Sequence, residues 1–161
     1  MFPSSAMYAT NASMSPSVLL VGWSRISEET TPPIESDVGI LYEGGTCSSV
    51  ERCSIGGWHT GIRWENTNKA DVQRCIFASW LGFTGMIGVH FALGPSGGGF
   101  CNTVNVGNRT QFNGLKDAIL VDDGANCVVE DCNVNSPDVM CRVRGTQGFT
   151  LRNVQCEAVR G

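Results

Sequence analysis

Two segments 22 residues apart carry the same pattern. Val50-Glu51-Arg52-Cys53-Ser54-Ile55 matches Val72-Gln73-Arg74-Cys75-Ile76-Phe77 at its apolar, cysteine and apolar positions. Val129-Glu130-Asp131-Cys132-Asn133-Val134 and Leu151-Arg152-Asn153-Val154-Gln155-Cys156 keep that frame, again 22 residues apart. Cys101-Asn102-Thr103-Val104-Asn105-Val106 fills the interval between the two pairs, at offsets of 29 and 28. A second unit recurs in phase. Gly39-Ile40-Leu41-Tyr42 returns as Gly61-Ile62-Arg63-Trp64, then as Gly88-Val89-His90-Phe91 and Ala118-Ile119-Leu120-Val121, with a weaker echo at Val139-Met140-Cys141-Arg142-Val143.

Short runs rich in Val and Ile, separated by Gly, Asn and Asp, predict strands and turns. No window carries an apolar stripe of helical period, so almost no helix is expected. A repeat of 22 or more residues with two or three strands per turn predicts an all-β chain coiled as a parallel β-solenoid. One coil cannot bury its inward side chains alone; stacking on its neighbours completes the core. About five to six short coils are expected, over residues 18–161. Residues 1–17, rich in Ser, Met and Ala, are expected to form an N-terminal arm or cap.

The repeat explains the eight cysteines. Cys53, Cys75 and Cys132 fall in one column, with Val104 and Val154 taking the same place in the other copies. A thiol that exchanges with valine behaves as a small buried hydrophobe. No Cys-x-x-Cys occurs and no His lies near the pair Cys127 and Cys132, so neither zinc nor another cofactor is expected. The N-terminus has no basic segment followed by an apolar run, so no secretory signal is expected and the thiols are expected to stay reduced. The longest apolar run, Val18-Leu19-Leu20-Val21, is too short for a membrane span. A net charge of −4 with 11 basic residues argues against a nucleic-acid partner.

The V-x-x-C-x-I strand followed by G-I-x-W resembles coils of right-handed parallel β-helix proteins, the group that includes the pectate lyase-like superfamily and phage tailspikes. The likeness spans roughly residues 38–159 and is architectural. It implies either a polysaccharide lyase or glycoside hydrolase, or a spike, fibre or decoration protein of a virion. For hydrolysis two carboxyls are needed at a fixed separation on one face. Asp122 and Asp123, in a Val-Asp-Asp-Gly turn, are the catalytic candidates, with Glu65, Asp71, Glu130, Asp131 and Asp138 behind them; the plainer alternative is a solvated turn.

Two groupings point to carbohydrate. Trp58 and Trp80 share a repeat position, and ladder stacking would set their rings one coil apart with Arg109 next in line. Indole faces stack on sugar rings when they point outward and are packing when they point inward. His90 lies one coil from Arg63 in the second unit, and a His and an Arg on one face suit a carboxylate or sugar acid. Glu130 and Arg152 are expected to pair across one coil.

A short stack without a signal points to a phage virion component assembled in the host cytoplasm, a rigid stalk or knob contacting surface glycans. The resemblance implies a homotrimer, and the arm is the expected attachment to other virion proteins. The alternative is a capsule-degrading lyase or hydrolase of the same superfamily.

Overall fold

The computed structural model describes residues 7–9, 17–18, 38–45, 47–79, 86–93, 101–122, 124–135 and 137–157. Two short strands, β1 (Met7–Ala9) and β2 (Ser17–Val18), precede five coils of three strands each. The first coil is β3 (Val38–Gly45), β4 (Ser48–Glu51) and β5 (Ser54–Gly56); the second is β6 (Thr60–Thr67), β7 (Lys69–Gln73) and β8 (Ile76–Ala78). The third is β9 (Ile87–Ala92), β10 (Thr103–Gly107) and β11 (Gln111–Asn113). The fourth is β12 (Asp117–Val121), β13 (Cys127–Glu130) and β14 (Asn133–Asn135), and the fifth β15 (Val139–Val143), β16 (Phe149–Arg152) and β17 (Gln155–Glu157). Equivalent strands pair in parallel into three sheets, ordered β1-β3-β6-β9-β12-β15, β2-β4-β7-β10-β13-β16 and β5-β8-β11-β14-β17. This is a parallel β-helix, and among the described residues it contains no helix.

Parallel register turns the sequence repeat into ladders along the axis. Ile40, Ile62, Val89, Ile119 and Cys141 form one inward column, and Tyr42, Trp64, Phe91, Val121 and Val143 another. In the second sheet Val50, Val72, Val106, Val129 and Leu151 align, and in the third Ile55, Phe77, Phe112, Val134 and Cys156. Ring stacking follows from that spacing: Tyr42 lies 5.3 Å from Trp64, Trp64 5.4 Å from Phe91, and Phe77 5.0 Å from Phe112, all near parallel. The buried indole Nε1 of Trp64 donates to Ser48 Oγ at 2.7 Å, so the core keeps its polar handle satisfied.

The Gly-Ile-x-Trp unit bends inward twice in succession. At Gly88 an added Cβ would stand 2.6 Å from the Ala118 carbonyl oxygen and 2.8 Å from Phe112 Cδ1, so the position faces the packed interior. The next side chain in the unit is also buried, and alternation resumes after it. Arg63, His90, Leu120 and Arg142 thus share one outward column.

The thiol column differs from its sequence reading. Cys53, Cys75 and Cys132 each follow a residue of positive φ (Arg52, Arg74, Asp131), and so does Val154 after Asn153. The third coil fills the place with Thr110, not Val104. Val104 belongs to β10, between Ala70 and Cys127. The sequence frame slipped because that coil holds one extra corner residue, so Asn108 and Arg109 both take positive φ. Thr110 explains what the column selects. Cys53, Cys75 and Cys132 donate to the carbonyls of Glu51, Gln73 and Glu130 at 3.2, 3.3 and 3.2 Å, and Thr110 Oγ1 to Gly107 at 2.7 Å. The side chain must be small and carry a donor for the corner carbonyl. Burial pushes the Cys75 thiol up to about 11 and Cys132 to about 12, which marks them as inert.

Candidate functional site

The outward face of the first sheet carries a chain of charges across four coils. Arg63 Nε lies 2.6 Å from Glu65 Oε1 but off the hydrogen-bonding direction, so the contact is an ion pair only. His90, beside Arg63 in the column, places Nε2 2.6 Å from Asp122 Oδ2. Asp122 Oδ1 accepts from Arg144 Nη1 at 3.0 Å, and Asp117 Oδ1 from Arg142 Nε at 2.9 Å. Glu65, His90 and Asp117 are buried although their positions face outward.

Burial is the largest influence on His90 and lowers its pKa; Asp122 pulls it back up, and Arg63 and Arg144 push it further down. The imidazole is therefore held toward its neutral form, with the Nε2 proton serving Asp122. Both oxygens of Asp122 are occupied, one by His90 and one by Arg144. A carboxylate held this way is a poor nucleophile or proton donor, since either role needs an oxygen free to meet substrate. No group of three or more metal-binding side chains gathers among the described residues.

A second locus lies at the corner between the second and third sheets. Positive φ at Arg52, Arg74, Arg109, Asp131 and Asn153 lets the backbone turn while the N–H groups stay in the inter-coil ladder: Arg52 donates to Gln73 O, Arg109 to Asp131 O and Asp131 to Arg152 O. Beside this corner is an open depression of about 660 Å³ lined by Asn108, Arg109, Asp131, Asn133, Asn153 and Gln155. Asn153 Nδ2 donates to Asp131 Oδ1 at 2.5 Å, and Asn108 Nδ2 to Gln73 Oε1 at 3.2 Å. Arg109 is exposed, and no described carboxylate pairs with it. Amides that both donate and accept, next to a free guanidinium, suit a ligand dense in hydroxyls.

Of the residues singled out from sequence, Arg63, His90 and Asp122 come together on the first sheet. Arg109 does not stand in line with Trp58. Trp58 follows β5, at the turn from the third sheet into the first, whereas Arg109 follows β10, at the turn from the second into the third. The extra residue in the third coil again misled the alignment. Trp58 is half-buried and packs against the core. Trp80 and Asp123 lie outside the described residues. Asp117, Arg142, Arg144 and the Asn133–Asn153–Gln155 group were missed. Their signal was the coil length itself, since Asp122 and Arg144, Glu130 and Arg152, and Asp131 and Asn153 are each 22 residues apart and each pair is in contact.

No protein-family model matches the chain, and no curated protein and no solved structure matches it significantly.

Proposed function

We propose that this chain is a structural and glycan-binding component of a phage virion, a rigid β-helical stalk or knob that holds a surface polysaccharide in the depression around Arg109. The observation that carries the binding half is that depression, where an unpaired guanidinium stands among Asn108, Asn133, Asn153 and Gln155. The ladder supports an extended ligand as well, because equivalent polar groups repeat about every 4.8 Å along the axis. The scaffold half rests on the stacked core and on the outer carboxylates, which are tied to cations rather than free for chemistry. The virion setting, trimeric state and attachment through residues 1–17 complete the proposal and rest on the architectural resemblance.

The test is a glycan array probed with the wild type and with Arg109→Ala and Asn133→Ala. Both side chains are exposed, so the variants should fold unchanged. Loss of about tenfold or more in affinity supports the proposal, on the scale of one charge-assisted hydrogen bond. Unchanged binding in both variants, or no bound glycan, overturns it. The alternative, a lyase or hydrolase using Asp122, predicts new reducing ends or unsaturated products from an acidic polysaccharide and their loss in Asp122→Asn.

A further inference from the structure

The two ends of the coil stack are complementary in charge along the same two outward columns. In the first sheet the column runs Glu43, Glu65, Ala92, Asp122, Arg144; in the second it runs Glu51, Gln73, Gly107, Glu130, Arg152. Both begin with an exposed glutamate and end with an exposed arginine. Within the molecule the arginines of the fifth coil already rest on acids of the fourth: Arg144 on Asp122 and Arg152 on Glu130. The first coil is the other coil that has acids at both places.

The fifth coil also presents an unfinished core. Val143 is 39% and Leu151 44% exposed, although both stand in inward columns that are fully buried two coils earlier. Cys156 ends a third such column and is exposed. No described strand pairs with the outer edges of β15, β16 and β17. At the opposite end β1 covers three residues of β3 and β2 two residues of β4, and no described strand covers β5.

We propose that the fifth coil is a docking face for the first coil of a second copy of this chain, stacked head to tail. Arg144 then lies between its own Asp122 and Glu43 of the second copy, and Arg152 between Glu130 and the second copy's Glu51. The incoming strands, of five, four and three residues, displace the shorter β1 and β2 and continue all three sheets. The contact uses a different surface on each copy, so it does not close on itself and yields a ladder of oligomers rather than a single dimer. Opposite charges set the register, and apolar burial of Val143, Leu151 and Cys156 supplies most of the attraction.

Sedimentation velocity of the full chain over a concentration series tests this. Wild type should show mass growing with concentration and shrinking at high salt, as the charged rim requires. Arg144→Glu combined with Arg152→Glu should weaken association by about tenfold or more, and Leu151→Lys should do so without touching an ion pair. Mixing the double-Glu variant with Glu43→Arg combined with Glu51→Arg should restore mixed oligomers that neither forms alone. A wild type that stays a single chain at every concentration overturns the proposal. So does association that survives both the double-Glu and the Leu151→Lys substitutions while circular dichroism shows intact strands.

Discussion

His90 and Asp122 are joined at 2.6 Å although they are not partners on a rung. The rung partner of His90 is Leu120, so the contact runs diagonally across the sheet, two residues farther along β12. The diagonal leaves Asp122 free to accept from Arg144 on the coil beyond, and one carboxylate ties three coils together.

That arrangement fixes how stability depends on pH. His90 is held below the ordinary histidine value of 6.5, chiefly by burial. As pH falls through about 6.5 the unfolded chain takes up a proton that the folded chain still refuses, so stability drops. The loss levels off once pH passes the lowered folded value. Melting temperatures measured from pH 7.5 down to 5 should fall in the wild type, and part of that slope should vanish in His90→Gln. Identical slopes in the two proteins would exclude His90 as the source.

Ion pairs of similar appearance should differ in worth. The Asp117 carboxylate is buried beneath Arg142, whereas Arg152 and Glu130 meet in solvent. Arg142→Ala strands a buried carboxylate and should cost about 2 kcal/mol. Arg152→Ala should cost below about 1 kcal/mol. Urea unfolding of the two variants gives the comparison directly, and equal losses would contradict the assigned burial.

The thiol column should tolerate a hydroxyl better than a plain hydrocarbon. Cys75 donates to two carbonyls, of Gln73 and Val50. Cys75→Thr copies the third coil and should cost under about 1.5 kcal/mol, as near-isosteric core exchanges do. Cys75→Ala removes both the donor and the volume and should cost more. The reverse order of urea midpoints would mean that the column selects apolarity alone.

Packing should be least forgiving at Gly88. An added methyl group meets the Ala118 carbonyl oxygen at 2.6 Å, and backbone cannot swing away as a flexible side chain can. Gly88→Ala should destabilise by about 1–3 kcal/mol, the range for overpacked cores. A melting temperature equal to wild type would show that the sheet has slack there.

Inward columns were legible from sequence because parallel stacking copies side-chain type at a fixed interval; Ile40, Ile62, Val89 and Ile119 announce one another. The corner of the third coil was not legible, since one inserted residue at Asn108–Arg109 shifts every later position without altering the local pattern. Cys101-Asn102-Thr103-Val104 imitates the repeat, yet Val106 is what pairs with Val72 and Val129. The polar face of the first sheet was half legible. Arg63 and His90 share a column that the repeat displays, while the diagonal from His90 to Asp122 depends on side-chain reach, which periodicity does not encode.

The aromatic column thins as it rises: Tyr42, Trp64 and Phe91 give way to Val121 and then Val143, and Phe77 and Phe112 to Val134 and Cys156. A stack tapered in this way has a direction. Each coil leans on the one before it, and the last leans with the smallest side chains and the most exposed ones. Opening should therefore travel from the fifth coil toward the second, so that amide exchange grades along the axis and pulling on the C-terminal side peels coils singly instead of breaking the whole at once.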